Sequence, residues 1–320
     1  MQNHSVLDHI DRALVHALHV DGRAPFARIA DVLDVSTQTV TRRYQRLRRD
    51  AGLRVVGLTA PDLDSRWLVR LTAAPATASD VARSLARRPD TSWVRLTSGG
   101  TEIVAVVTAP VTGGSWPALL LHDIPRTASI SAVSAHALLH TYLGGPTAWP
   151  GRMQALDSAQ QNRLRKPAPA AGPAPERSEL SPAEQRMLDV LARDGRAGYA
   201  ELARATGWSP TTTARHLSEL RARSVIFFDV EIDDTQLGVA TRTLLWLAVV
   251  PADLDATARA LAGHAEPAFV AAITGTHNLV AQVLTSGPAA LHSYLTGPLA
   301  GLDSIRAIET TPVLQTLKEL

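Results

Sequence analysis

Residues 36–49, STQTVTRRYQRLRR, combine small polar side chains with arginines in a pattern that suits contact with nucleic-acid bases. Val40, Tyr44 and Leu47 recur at the i, i+4, i+7 spacing of one apolar helix face. The polar residues then lie on the remaining surface of the helix. Hydroxyl and amide groups at the start of such a helix can reach base edges, and arginines bind guanine or phosphate. The predicted DNA-contacting residues are Ser36, Thr37, Gln38, Thr39, Thr41, Arg42, Arg43, Arg46 and Arg49.

A second copy of this pattern occurs later in the chain. Asp21-Gly22-Arg23-Ala24 returns as Asp194-Gly195-Arg196-Ala197, an offset of 194 − 21 = 173. A repeat of this length is a duplicated folding unit. The predicted DNA-contacting residues of the second copy are Ser209, Thr211, Thr212, Arg215 and His216, beside a core stripe of Thr213, Leu217 and Leu220.

The second copy has a weaker basic face than the first. Glu219 occupies the position of Arg46, and Ala222 occupies the position of Arg49. A carboxylate at such a position repels phosphate. Two interpretations stay open: weaker DNA contact by this copy, or a structural domain that no longer binds DNA.

Short helices must position these two segments. We predict helices over Phe26–Leu33 and Tyr199–Thr206, each followed by a tight turn. Ser36 and Ser209 are suitable N-caps for the next helix, because a serine hydroxyl accepts a hydrogen bond from a free backbone N–H. Each copy therefore reads as a helix-turn-helix.

After each helix-turn-helix the apolar period changes to that of strands. Both copies then show the order strand, helix, strand, strand, helix, strand, which is the ferredoxin-like arrangement. The predicted helices of these regions are Asp80–Arg87, Trp116–Leu121, Leu254–Ala262 and Ala289–Leu295. The fold class is α+β, with two copies of a winged helix-turn-helix followed by a βαββαβ domain.

The domain boundaries follow from these changes and from a Pro/Ala-rich tract near the middle of the chain. Pro-rich tracts of this kind form extended spacers. We predict five segments: a first helix-turn-helix domain at 1–60, a first ferredoxin-like domain at 61–148, a linker at 149–178, a second helix-turn-helix domain at 179–235 and a second ferredoxin-like domain at 236–320.

Composition limits the classes of protein that remain. The 320 residues include no Cys, which excludes disulfides and thiolate chemistry. The formal charge is only +2, so affinity for DNA must come from local clusters of arginine. The N-terminal sequence lacks a secretory signal and no apolar run is long enough to span a bilayer, which indicates a cytoplasmic protein without a membrane partner.

The helix-turn-helix residues resemble those of the Lrp/AsnC family of bacterial transcriptional regulators, the feast/famine regulators. The resemblance rests on both Asp-Gly-Arg runs, on Ile29-Ala30 and Leu202-Ala203, on both turn serines and on Gln236-Leu237-Gly238. It implies a DNA-binding regulator with a RAM (ACT-like) effector domain, double-stranded DNA as partner and assembly into homo-oligomers. Family members ordinarily have one copy per chain. The duplication here implies either an intrachain pseudo-dimer or exchange between chains, and the sequence leaves both open.

The resemblance also implies a small-molecule effector, often an amino acid, held near a Gly-containing loop between the middle strands. The candidate effector-binding residues are Gly99, Gly100, Thr101 and Glu102, and Gly275, Thr276, His277 and Asn278. Backbone N–H groups, a hydroxyl and a carboxylate can hold the two charged ends of an amino acid. The alternative is a plain β-turn in which glycine supplies a positive φ.

Other motifs favour neither a metal nor an enzyme. His136 and His140 have a ligand spacing only if their segment is helical, whereas it aligns with a strand, so we expect no metal site. There is no Walker-type phosphate loop and no Gly-x-Ser-x-Gly elbow, and we expect no cofactor. The alternative function is that of the sirohaem decarboxylases, enzymes with the same tandem architecture; the His-Cys-Tyr run associated with them requires a Cys.

Overall fold

A computed structural model describes residues 7–59, 64–110, 129–144, 155–165 and 180–319. The chain divides into two compact units. The head unit comprises residues 1–60 and 145–238, and the sheet unit comprises residues 61–144 and 239–320. Each unit contains one segment from each copy of the repeat. Like segments therefore pair within one chain, which is one of the two arrangements that the sequence left open.

The head unit contains two helix-turn-helix domains, called here the first and second heads. The predicted helices Phe26–Leu33 and Tyr199–Thr206 are both present with those bounds. The first head consists of α1 (His9–Val20), α2 (Phe26–Leu33), α3 (Thr37–Asp50) and β1 (Arg54–Thr59). The second head consists of α6 (Pro182–Arg193), α7 (Tyr199–Thr206), α8 (Pro210–Ala222) and β6 (Ile226–Glu231).

The strand of each head pairs with that of the other. β1 and β6 run antiparallel from Arg54↔Glu231 to Thr59↔Ile226, and form a two-stranded ribbon. A sheet of only two strands needs further packing to be stable. That packing comes from the heads on either side, with Val55 and Val230 in the apolar core of the first.

The two Asp-Gly-Arg runs form a reciprocal clasp between the heads. Arg23 donates to the carbonyls of Gly195 (2.6 Å) and Ala197 (2.9 Å). Arg196 donates in return to the carbonyls of Gly22 (2.6 Å) and Ala24 (2.9 Å). The motif that marks the repeat in the sequence is thus the contact that joins its two copies.

The glycines of this motif allow the close approach. A Cβ on Gly195 would lie 2.9 Å from the Val55 carbonyl oxygen, to which the Gly195 N–H donates at 2.7 Å. A Cβ on Gly22 would lie 2.8 Å from the Cβ of Phe228. A larger residue at either position would push the heads apart.

Part of the predicted linker is a helix. α5 (Ser158–Leu164) lies inside the segment 149–178, which the sequence analysis treated as an extended spacer. Leu156 and Leu164 on this segment are buried in the core of the first head. The expectation of an extended spacer is wrong for residues 155–165, because these two leucines provide an apolar face.

The sheet unit contains the second predicted ferredoxin-like order in full, and the first order apart from its second helix. The first consists of β2 (Asp64–Ala73), α4 (Ala78–Ala86), β3 (Thr91–Thr97), β4 (Glu102–Pro110) and β5 (Ile130–Leu143). The second consists of β7 (Thr241–Val249), α9 (Leu254–Ala262), β8 (Pro267–Ile273), β9 (Leu279–Thr285), α10 (Pro288–Thr296) and β10 (Ile305–Lys318). The predicted helix Trp116–Leu121 lies outside the described residues.

The strands of the two copies join into one closed sheet of order β10-β3-β4-β2-β5-β8-β9-β7. The last strand of each copy bridges them. β5 pairs with β2 of its own copy and then with β8, and β10 pairs with β7 and then with β3. Trp246, Leu68 and Ile273 belong to an apolar cluster contributed by both copies. Closure removes the exposed strand edges that would invite pairing with other chains.

Candidate nucleic-acid interface

Helix α3 has the cap and the core face that the sequence predicts. The Ser36 hydroxyl accepts a hydrogen bond from the Thr39 N–H at 3.0 Å. Val40, Tyr44 and Leu47 are buried. This stripe fixes the rotation of the helix, so that Gln38 and Arg42 are exposed on its outer face.

Arg42 is a predicted DNA-contacting arginine that the structure leaves without an ion-pair partner. It is exposed and makes no ion pair with any described residue. Thr37 and Gln38, one turn earlier on α3, are also exposed. A guanidinium beside hydroxyl and amide groups at the N-terminal end of a helix suits contact with base edges in the major groove.

Arg43 and Arg46 are held by helix α1. Arg43 Nη1 lies 2.6 Å from Asp8 Oδ2 and 2.8 Å from Asp11 Oδ1, and Arg46 forms an ion pair with Asp11. Burial of Asp8 opposes its ionisation, but hydrogen bonds from the Asp11 backbone and from Arg43 hold its pKa below the ordinary value. The sequence analysis assigned both arginines to DNA. The structure gives them an additional task, which is to fix α3 against α1.

Three further predicted residues of α3 have partners within the helix. The Thr41 hydroxyl donates to the Thr37 carbonyl at 2.9 Å, and the Thr39 and Ser36 hydroxyls lie 2.8 Å apart. Arg49 lies 2.7 Å from Asp50 in an exposed ion pair. Exposed pairs of this kind contribute little to stability and exchange readily. Arg49 can therefore still contact a phosphate.

Helix α8 of the second head repeats the cap and the core. The Ser209 hydroxyl accepts from the Thr212 N–H at 3.1 Å, and Pro210 occupies the first turn. Thr213, Leu217 and Leu220 are buried, as predicted. Thr211 is exposed at the start of the helix and Thr212 is half-buried.

Arg215, the counterpart of Arg42, is paired. Its Nη1 lies 3.1 Å from Glu219 Oε1, one turn along α8. Glu219 occupies the position of Arg46, since 219 − 173 = 46. The substitution therefore adds a negative charge and also places it against the arginine that would read DNA.

His216 is half-buried and contacts other residues of its own head. Its Nδ1 lies 3.5 Å from Glu184 Oε1, and its ring stacks on Trp208 with centroids 4.1 Å apart. Glu184 is the counterpart of Asp11, since 184 − 173 = 11. His216 thus repeats the position and the partner of Arg43, and its assignment as a DNA-contacting residue is not supported by this geometry.

Asp11, Glu184 and Trp208 are residues of this interface that the sequence patterns did not predict. The two acids occupy equivalent positions of the repeat and could have been found by extending the alignment into the first helix of each copy. Trp208 replaces Val35, the residue before the N-cap. No local pattern predicts that its ring covers a histidine two turns later.

The candidate effector loop of the first copy is a tight turn with an engaged carboxylate. Gly99 and Gly100 have φ values of +75° and +82°. Glu102 accepts hydrogen bonds from Arg70 Nε (2.8 Å), Thr97 (2.8 Å) and Ser98 (3.0 Å). Turn geometry accounts for both glycines, and the carboxylate has partners within the protein.

The candidate effector loop of the second copy is hydrogen-bonded to β7. Asn278 Oδ1 accepts from the Val249 N–H at 2.8 Å, and its Nδ2 donates to the Val249 carbonyl at 2.9 Å. Gly275 has a φ of +119°, and a Cβ there would lie 2.6 Å from His136 Nδ1. Asn278 is therefore a structural residue. Thr276 and His277 remain at least partly exposed, and effector binding at either loop stays a prediction.

The remaining histidines of interest have partners within the protein. His136 Nδ1 lies 2.6 Å from the Thr274 carbonyl oxygen, and His140 packs edge-on against Tyr142. Within the described ranges, no group of three or more candidate ligand side chains comes together as a metal site would require. In the same ranges no helix has the length and apolar character needed to span a membrane.

The fold and the two exposed helices α3 and α8, called here the reading helices, define a helix-turn-helix protein with two heads in one chain. The AsnC-type helix-turn-helix domain matches residues 7–48 and again residues 184–221. The Lrp/AsnC ligand binding domain matches residues 244–320. Both kinds of domain that characterise the Lrp/AsnC transcriptional regulators are therefore matched in this chain, in agreement with the resemblance of its sequence motifs.

Two similar proteins match a length of this chain that is close to that of one copy of the repeat. The regulatory protein AsnC of Haemophilus influenzae is 29% identical over 142 residues, which span 42% of this chain and 95% of that protein. The transcriptional regulator FL11 of Pyrococcus horikoshii is 26% identical over 144 residues, 45% of this chain and 95% of that protein.

The fold of nearly the whole chain also resembles that of a solved enzyme structure. The siroheme decarboxylase NirDL superposes with a TM-score of 0.66 at 11% sequence identity, over 98% of this chain and 93% of that one. At this identity the likeness concerns the fold alone.

Proposed function

We propose that this protein is a sequence-specific transcriptional regulator that reads an asymmetric DNA site with two unequal heads of a single chain. The observation that carries the proposal is the difference between Arg42, which has no ion-pair partner among the described residues, and Arg215, which pairs with Glu219. A dimer of identical chains presents two identical reading helices and favours a palindrome. A duplicated chain has no such restriction.

The first head supplies the dominant contacts in this proposal. Gln38 and Arg42 reach base edges, while Arg43 and Arg46 orient α3 from behind through Asp11. The second head contributes Thr211 and Arg215, with Arg215 weakened by the adjacent carboxylate. A bidentate arginine contact to guanine is worth about 1–3 kcal/mol of discrimination, so loss of one contact changes half-site preference measurably. We also propose that the protein acts in the cytoplasm, as expected for the bacterial regulators that it resembles.

We further propose that a small molecule, such as an amino acid, regulates DNA binding through the sheet unit. The support is the match of residues 244–320 to a ligand binding domain. A ligand changes DNA affinity only if it binds two states of the protein with different affinity. Thr276, which is exposed, and His277, which is half-buried, are the candidates for its contact in this domain, because Asn278 already has a protein partner.

The proposal is tested by enrichment of duplexes from a random pool with the purified chain. We expect a recovered motif with one well-defined half and one degenerate half. Recovery of a symmetric palindrome would contradict unequal reading, and recovery of no motif would contradict sequence-specific binding.

A second candidate function is decarboxylation of a tetrapyrrole, which the whole-chain fold likeness to NirDL favours. Arg70, on β2 of the sheet unit, stacks on Trp246 but is already bound by Glu102 and Glu309. An absorbance titration with sirohaem tests this candidate directly. A shifted visible band together with carboxyl loss would support the enzyme, whereas we expect the spectrum of free sirohaem.

A further inference from the structure

The segment of residues 155–165, which includes α5, is fixed on the first head by polar and apolar contacts. Its capping box joins Asp157 and Gln160 through hydrogen bonds of 2.7 and 3.0 Å. Leu156 and Leu164 are buried in the core of the head. His16 Nδ1 accepts hydrogen bonds from the backbone N–H groups of residues 155 and 156, both at 3.1 Å. This segment is therefore an integral part of the first head.

Helix α5 binds the end of α2, which is the first helix of the helix-turn-helix. Gln160 Nε2 donates to the Val32 carbonyl at 3.2 Å, and Arg163 Nη2 lies 2.6 Å from Asp31 Oδ2. The first helix of a helix-turn-helix crosses the phosphate backbone when the second enters the major groove. Arg163 consequently lies beside the turn that leads to Ser36 and the reading helix.

Both heads have an arginine side chain at the end of the first helix of the helix-turn-helix, but the arginine comes from a different segment in each head. Asp31 of α2 corresponds to Arg204 of α7, since 204 − 173 = 31. The second head thus carries a guanidinium on its own helix, whereas the first head carries a carboxylate and receives a guanidinium from α5. Position 28 shows the reverse exchange, with Arg28 against Glu201.

The cations of α5 remain accessible. The side chain of Arg163 is 51% exposed and that of Asp31 is 74% exposed. Arg165 is also exposed, and its Nη2 lies 3.4 Å from Gln161 Oε1. A surface ion pair contributes little to stability, so Asp31 can release Arg163 to a stronger anion. Phosphate is such a partner, because arginine binds it through two parallel hydrogen bonds.

We propose that α5 is a third DNA-contacting element of the first head, and that Arg163 and Arg165 bind backbone phosphates. The inference rests on the proposed DNA-binding function. It adds a DNA contact that is made by a segment outside the helix-turn-helix motif. It also gives the first head a second reason to bind DNA more tightly than the second head does. Among the described residues, no helix corresponding to α5 packs on the second head.

The test uses the full chain and a duplex that the wild-type protein has enriched from a random pool, with an unrelated duplex beside it. Affinity is measured from about 0.05 to 0.2 M salt, where each phosphate contact contributes roughly 0.9 to the slope of log affinity against log salt. Arg163→Gln/Arg165→Gln should lower the slope by about 1–2 and the affinity several-fold on both duplexes. Arg163→Lys/Arg165→Lys keeps both charges and should retain most of the slope.

Two further variants separate DNA contact from a structural role. Asp31→Asn removes the carboxylate that competes with phosphate and should bind DNA as tightly as the wild type or more tightly. If Arg163 served only to hold α5 in place, Asp31→Asn would weaken binding to the same extent as Arg163→Gln. Arg83→Gln/Arg259→Gln, which breaks one exposed ion pair on α4 and one on α9, is the control for the same change of net charge.

The outcomes distinguish the inference from the proposed function. If the wild type binds DNA and the double glutamine variant keeps the full slope, the inference is wrong and the proposed function stands. A wild type that binds neither duplex would contradict the proposed function and, with it, this inference. Tighter binding by the double glutamine variant would show that α5 obstructs DNA.

Discussion

Arg215 and Glu219 form an ion pair of 3.1 Å on the exposed face of α8. The equivalent residues of α3 are Arg42 and Arg46, two cations that cannot pair with each other. One substitution in a duplicated helix has thus placed a carboxylate beside an arginine that would otherwise face DNA. The consequence is a chain whose two heads share a fold but differ in charge.

Removing this carboxylate should strengthen DNA binding. Glu219→Gln frees Arg215 and removes a charge that repels phosphate, and we expect the affinity for the enriched duplex to rise several-fold, with a steeper dependence on salt. Fluorescence anisotropy measures both quantities. Asp255→Asn, an acid in a similar exposed i,i+4 pair on α9, has the same effect on net charge and should change neither. Equal effects of the two variants would show that only net charge matters.

Loss of the clasp between the heads should loosen the ribbon. Arg196→Ala deletes the hydrogen bonds to the carbonyls of Gly22 and Ala24. A buried acceptor left without a partner costs about 1–3 kcal/mol, so we expect faster hydrogen exchange of the β1 and β6 amides. Arg259→Ala on α9 is the control. Unchanged exchange in Arg196→Ala would show that the ribbon does not depend on the clasp.

The close approach at Gly195 gives a second test of the same interface. Gly195→Ala places a Cβ 2.9 Å from the Val55 carbonyl oxygen, and we expect a loss of about 1–3 kcal/mol in the free energy of unfolding of the head unit. Gly198→Ala is a matched control three residues away, because a Cβ there has no neighbour within 4 Å. Urea denaturation of the two variants compares them, and equal midpoints would contradict the packing account.

Docking of the 155–165 segment should depend on pH through His16. Burial lowers the pKa of His16 below its ordinary value of 6.5, and the nearby His19 lowers it further. The neutral ring accepts both backbone hydrogen bonds at Nδ1, and protonation removes that acceptor. The stabilisation is therefore complete above about pH 6.5 and decreases as the pH falls from there towards the lowered pKa.

Limited proteolysis or hydrogen exchange of residues 155–165 between about pH 7.5 and 5.5 measures this effect. We expect increasing exposure of the segment at the acid end. His16→Asn offers an acceptor oxygen that does not titrate in this range, and should make docking less dependent on pH. A wild type with the same protection at both ends would rule out this role of His16.

The parts of the fold that depend on local periodicity could be predicted from the sequence. Val40, Tyr44 and Leu47 on α3, and their counterparts on α8, show the 3.6-residue period that places them in the core. The caps at Ser36 and Ser209 follow from a short-range rule that depends on one side chain. Both reading helices can therefore be predicted from the sequence alone.

The pairing of the copies could not be predicted in this way. The partner of a short strand such as β1 is decided by what packs around it, and here by Arg23 and Arg196, which act across the repeat. The ion pairs of Arg43 and Arg46 with Asp11 join helices far apart in sequence. The helix α5 was missed because seven residues in a Pro/Ala-rich setting give too short an apolar pattern, although Asp157 and Gln160 already show the spacing of a capping box.

In our account the first head dominates DNA recognition because Arg42 has no ion-pair partner among the described residues, whereas Arg215 lies against the carboxylate of Glu219, which competes with DNA for the guanidinium and repels phosphate. Arg42→Ala and Arg215→Ala remove the same side chain from equivalent positions of the two reading helices, so each is the control for the other. The most direct measurement is their affinity for one duplex enriched by the wild type. We expect Arg42→Ala to lose about 1–3 kcal/mol of binding free energy and Arg215→Ala to lose clearly less. Equal losses, or a larger loss in Arg215→Ala, would contradict the account.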